Sequence, residues 1–127
     1  MLTSLQRAMI GLLTDAGWSA WAEDCVPPEA TFPYVTCRVS VPLTFDARGE
    51  VVLTAWAHGP EANLQRLTLA RDLIRLFPQG GSLLALDECV AALFPSPGDN
   101  LDWPRSDGAL GARFRLDVMA FPSHKGE

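Results

Sequence analysis

The stretch Phe32-Pro33-Tyr34-Val35-Thr36-Cys37-Arg38-Val39-Ser40-Val41 constrains the fold of this chain more than any other. Tyr34, Thr36, Arg38 and Ser40 alternate with Val35, Cys37, Val39 and Val41. Successive side chains of a strand point to opposite faces, so this spacing predicts a strand with one apolar side turned to a core. A second β-rich run covers residues 51–57 and is close enough in sequence to pair with the first as an antiparallel hairpin. Ala47-Arg48-Gly49-Glu50 reads as its turn, with an exposed, projecting tip around residues 45–49. A third alternation, over residues 112–121, sets Phe114, Leu116, Val118 and Ala120 against Arg113, Arg115, Asp117 and Met119 and predicts a final strand.

Two helices complete the pattern. Thr3 and Gln6 have capping-box spacing, and Leu5, Met9, Leu12, Leu13 and Ala16 recur at helical intervals. With Gly17 as the stop, a helix is expected over residues 3–16. A short strand is expected between Trp18 and Cys25, and Val26-Pro27-Pro28-Glu29 is a loop. Gly59-Pro60-Glu61 opens the second helix. Leu64, Leu67, Leu69, Ala70, Leu73, Ile74 and Phe77 form its expected apolar face, and Glu61, Gln65, Thr68, Asp72 and Arg75 a polar stripe. Pro78, Gly80 and Gly81 end it. Residues 83–86 and 90–94 are short apolar runs that periodicity leaves open between strand and buried helix. A long polar loop is expected over residues 95–111, and a flexible tail over 122–127. The order implies one α+β domain over residues 1–127, a mainly antiparallel sheet with two helices packed on one face.

The charge balance, 10 Lys+Arg against 15 Asp+Glu, leaves little to hold phosphates and disfavours a nucleic-acid binder. No window approaches the roughly 18 apolar residues of a membrane-spanning helix. Gln6, Arg7 and Asp15 break the apolar start that a signal peptide needs, so no secretion is expected. Cys25, Cys37 and Cys89 are odd in number and widely spaced, which fits neither a disulfide framework nor zinc; they read as reduced, partly buried thiols. A reactive thiol would need His58 or His124 beside it.

Gly80-Gly81 follows a helix instead of opening one, so it lacks the context of a phosphate loop. His58 reads as a surface residue, and Asp87-Glu88 and residues 99–102 as solvated loop charge. No catalytic, metal or cofactor constellation emerges, and no enzyme activity is expected. Trp56, in a strand, reads as core packing. Trp103, between Asp102 and Pro104 in the long loop, is open between loop packing and an interface. Arg66 is open between a snorkelling arginine and one that pairs with a neighbouring subunit.

The string Pro28-Glu29-Ala30-Thr31-Phe32-Pro33-Tyr34-Val35-Thr36, after a short helix and a loop, resembles the tail-terminator and related neck proteins of tailed bacteriophages. In that pattern a second strand with an aromatic follows, here Val51-Val52-Leu53-Thr54-Ala55-Trp56-Ala57, then a Leu- and Arg-rich helix, here residues 61–77, and a terminal strand, here residues 113–120. Residues 80–111 match no part of it. The resemblance implies a tail-terminator-like fold and a structural virion protein. Such proteins form a ring, usually of six copies, that stops tail-tube polymerisation and presents a surface to the head–tail connector or stopper. Implied partners are therefore further copies of the chain, the tail-tube protein and the connector. DNA would at most pass through the lumen, past an acidic surface. The implied location is the virion neck, reached from the host cytoplasm during assembly, with no membrane. Candidate interface residues are Phe45, Asp46 and Arg48 at the hairpin tip, Arg66 on the second helix, and Trp103 and Arg105 in the long loop. Competing readings are another neck component, such as a stopper or head-completion protein, and a cytoplasmic ligand- or partner-binding α+β module.

Overall fold

Leu5, Met9 and Leu13 recur every four residues and put one apolar stripe along helix α1, Leu2–Asp15. All three are at most 1% exposed. The helix ends at Gly17, whose φ of 96° suits a residue without a Cβ. The Gly17 amide donates to the Thr14 carbonyl (3.0 Å) and the Trp18 amide to the Leu13 carbonyl (2.9 Å), the paired bonds of a Schellman end. Thr3 falls inside the first turn instead of ahead of it. Ala16 lies past the last turn and is exposed, so the buried stripe is narrower than expected. The computed structural model describes residues 2–40, 48–86, 89–96, 105 and 107–122.

Among the described residues six strands form one sheet: β1 (Ala20–Ala22), β2 (Tyr34–Ser40), β3 (Arg48–Ala57), β4 (Ser82–Ala85), β5 (Cys89–Pro95) and β6 (Leu110–Pro122). Their spatial order is β1-β2-β3-β6-β5-β4. The β1–β2 pair at one edge is parallel and the other four pairs are antiparallel, so the sheet is mixed. The hairpin expected from the sequence is the β2–β3 pair, with Val35 opposite Ala55 and Cys37 opposite Leu53. Its turn is misplaced in the sequence reading. Arg48, Gly49 and Glu50 already belong to β3, held extended by the β6 ladder opposite Met119, Val118 and Asp117. The hairpin tip itself lies outside the described residues.

The undecided apolar runs are strands β4 and β5, paired with each other. Pro95 still faces Leu116, and β6 starts at Leu110, so the loop expected over 95–111 is shorter at both ends. Pro122 belongs to β6 and not to a tail.

Helix α2, Ala62–Arg75, crosses β3 and β6. Its buried residues are Ala62, Arg66, Ala70 and Leu73, and Phe77 follows on the same side. Leu64 and Leu67, expected on the apolar face, are instead 65% and 53% exposed. Residues 62, 66, 70 and 73 share one side of a 3.6-residue helix, and 64 and 67 fall on the far side. Both helices cover the same face of the sheet, α1 over β1 and β2 and α2 over β3 and β6. Between them and the sheet lies the core, with Leu53, Leu73, Leu93 and Leu116 at most 1% exposed. Each such side chain removed from water contributes roughly 1.5–3 kcal/mol.

Candidate functional site

Among the described residues no helix covers the other face of the sheet. The register lines up Tyr34, Trp56 and Gly111 in one row, Thr36, Thr54 and Arg113 in the next, and Arg38, Val52 and Arg115 in a third. Tyr34, Thr36, Val52 and Thr54 on this face are nonetheless at most 5% exposed.

Gly111 shapes the first row. A Cβ there would sit 2.8 Å from Trp56 Cζ3 and 3.0 Å from Thr54 Cγ2, so the missing side chain is what lets the Trp56 ring lie across the strand. The indole Nε1 donates to Thr36 Oγ1 at 3.1 Å. Above the ring lies Arg105, its Cζ 4.6 Å from the Trp56 centroid, 5.5 Å from that of Phe32 and 5.7 Å from that of Tyr34. A guanidinium over aromatic faces is held by the ring quadrupoles. Arg105 also donates from Nη1 to the Tyr34 hydroxyl and from Nε and Nη2 to the two oxygens of Asp107.

Asp107 closes a tight turn. Its Oδ1 accepts from the Ala109 amide at 3.1 Å, and the Arg105 amide donates to the Ala109 carbonyl at 3.0 Å. The guanidinium of Arg105, then the Ala109 amide, hold the Asp107 carboxyl down at about 2. Phe32 stacks on Tyr34 at 4.9 Å and on His58 at 5.2 Å. His58 Nε2 lies 3.1 Å from the Asp107 carbonyl oxygen, which can only accept, so the nitrogen donates. The cluster ties the bend into β2, the end of β3 and the turn before β6 into one unit. Its polar groups bond to one another, which braces these segments together.

The sequence candidates divide. Phe45, Asp46 and Trp103 lie outside the described residues. Arg48 opens β3 opposite Met119, and its side chain is outside the description too. Arg66 is only 8% exposed and donates to Asn63 Oδ1 and to the Gly111 carbonyl, contacts within its own chain. Of the candidates whose side chains are described, Arg105 joins the aromatic cluster. The sequence reading missed Phe32, Tyr34, Trp56, His58 and Asp107. The signal was present in part: Tyr34 alternates with Thr36 and Arg38, and Trp56 with Thr54, so both belong to the polar side of their strands. Trp56 is half-buried on that side and is not in the apolar core.

Cys37 is buried, and burial followed by the Glu23 carboxylate pushes its thiol up to about 12. Cys25 is exposed, contrary to expectation, beside Asp24, whose carboxylate raises its thiol. Among the described residues no three His, Cys, Asp or Glu side chains are placed to hold a metal ion, and no helix is long and apolar enough to cross a membrane. In comparison with known proteins, no family model, no curated protein and no solved structure matches this chain.

Proposed function

We propose that this chain is a structural subunit of a tailed-phage neck, a ring former at the head-proximal end of the tail that stops tube polymerisation and joins tail to head. It acts by assembly and not by catalysis. The observation that carries the reading is the order of elements. The Pro28–Thr36 string leads into β2 of a sheet whose chain order is helix, three strands, helix, three strands, with both helices on one face. The order and spacing that prompted the resemblance thus lie within one continuous sheet. The helix-free face supports it further, because it offers a braced surface of rings and guanidiniums with no described helix over it.

The test uses the tail-tube protein from the same genome neighbourhood, polymerised with and without this chain and imaged by negative stain. Six-fold rings on capped tubes of fixed length are expected. Tubes that keep growing, with no chain bound at their ends, overturn the proposal. A stopper or head-completion role would show instead as binding to the connector with no effect on tube length.

A further inference from the structure

Two apolar patches of described residues have no cover. One is the outer side of α2, where Leu64 and Leu67 stand 65% and 53% exposed, with Arg71 one turn further along, 64% exposed. The other lies on the helix-free face at the β4–β5–β6 end. Register puts Leu83, Phe94 and Phe121 on that face with Met119, and the three are 75%, 39% and 47% exposed. Beside Phe94 lies an open groove of about 340 Å³ lined by Phe94, Asp117, Val118 and Met119.

One charge beside each patch is opposite in sign to one beside the other. On the groove side Asp117 faces Glu50 directly across the β3–β6 ladder. Two like charges in such a cross-strand pair repel. Neither has an ion pair among the described residues. On the helix side Arg71 has only a loose 3.9 Å contact with its neighbour Asp72. A cation brought to Asp117 from outside would relieve the repulsion, and Arg71 stands beside the leucines that would enter the groove.

We infer that α2 of one copy docks on the helix-free face of the next, with Leu64 and Leu67 against Phe94 and Met119 and Arg71 meeting Asp117. This rests on the ring-forming reading above and supplies its subunit contact. The patches lie on opposite sides of one sheet, so a chain cannot join them itself. A two-fold pair through either patch leaves the other bare. A head-to-tail contact covers both and repeats, which is the condition for a ring.

Light-scattering mass, measured over a concentration series reaching about 1 mM, where even a weak contact is populated, tests this on the full chain. The unaltered chain is expected to associate. Leu67→Glu and Phe94→Glu are each expected to weaken association roughly tenfold or more, the scale of a lost interface anchor. Mixed together they should form a heterodimer and stop, because the intact helix of one fits the intact groove of the other. Arg71→Glu and Asp117→Arg should each weaken association, and combined in one chain should restore it. Circular dichroism checks folding, and if Phe94→Glu unfolds, the exposed Asp117→Arg takes its place in the mixing experiment. A chain that stays monomeric throughout overturns the inference, as does association that both variants leave unchanged or a mixture that forms no heterodimer. Tube capping separates the two claims. Capping that survives Leu67→Glu removes this contact and keeps the neck role; association through these faces without capping does the reverse.

Discussion

The two faces of the sheet are closed in different ways. On the helix-covered face Val35, Cys37, Leu53 and Leu116 are fully buried beneath two helices, and the layer is apolar throughout. On the opposite face Thr36, Val52 and Thr54 are nearly as buried, yet no described helix lies over them. The first face gains its stability from area removed from water, which is non-directional. The second depends on placed contacts: a ring across Gly111, a guanidinium over three rings, a carboxylate in a tight turn. Folding is held mainly by one face, and the other is left shaped and available. The same division runs through α2, whose Ala62, Ala70 and Leu73 seal the core and whose Leu64 and Leu67 do not.

Leu53→Ala, in the covered face, should show the largest effect, a loss of about 2–5 kcal/mol in urea unfolding, because the cavity sits where little can collapse into it. A loss near zero would mean that the helices do not hold this face closed. Gly111→Ala should come next. Its methyl forces Trp56 and Thr54 aside, at about 1–3 kcal/mol, and shifts the tryptophan emission.

Arg105→Ala should cost about 1 kcal/mol, and Arg105→Lys should not restore it, because an ammonium has no fork for Asp107 and stacks less well on the rings. The pH dependence of that pair has a definite sign. Asp107 ionises more readily folded, at about 2, than its ordinary 3.8. The stability it adds is complete above about pH 4 and is lost as pH falls through 2. Its side chain is 49% exposed, so solvent screening keeps the effect under about 1 kcal/mol. Subtracting the acid unfolding curve of Asp107→Asn from that of the unaltered chain isolates it.

The smallest energetic effect carries the clearest contrast in accessibility. With Cys89→Ser in place, a maleimide at pH 8 should label Cys25 in the folded chain and reach Cys37 only on unfolding. Rapid labelling of Cys37 would mean that the covered face opens readily.

What was legible in the sequence follows the same division. Where a long alternation or helical repeat turns one side to the core, period located the element: α1, the alternation of β2 and the long β6 were all expected close to where they lie. The β4–β5 hairpin stayed ambiguous because four to seven apolar residues fit a strand or a buried helix equally well. The turn at residues 47–50 misled because Gly49 and Arg48 look like turn residues, yet the β6 ladder, which is non-local, extends them. For α2, counting every leucine as core overlooked the helical angle that turns Leu64 and Leu67 outward. The arginine–aromatic cluster joins Phe32, Trp56, His58 and Arg105 across more than 70 residues, and no local spacing records that contact. Arg105 was singled out for its loop position, and the rings that hold it were not.

The central claim is that one face and one side of α2 hold the fold while the opposite surfaces serve a neighbour. The most direct test measures unfolding free energy and associated mass on the same Leu67→Glu protein. The account predicts stability within about 0.5 kcal/mol of the unaltered chain, as for an exposed substitution, together with a marked loss of association. A large loss of stability, or stability and association both unchanged, would contradict it.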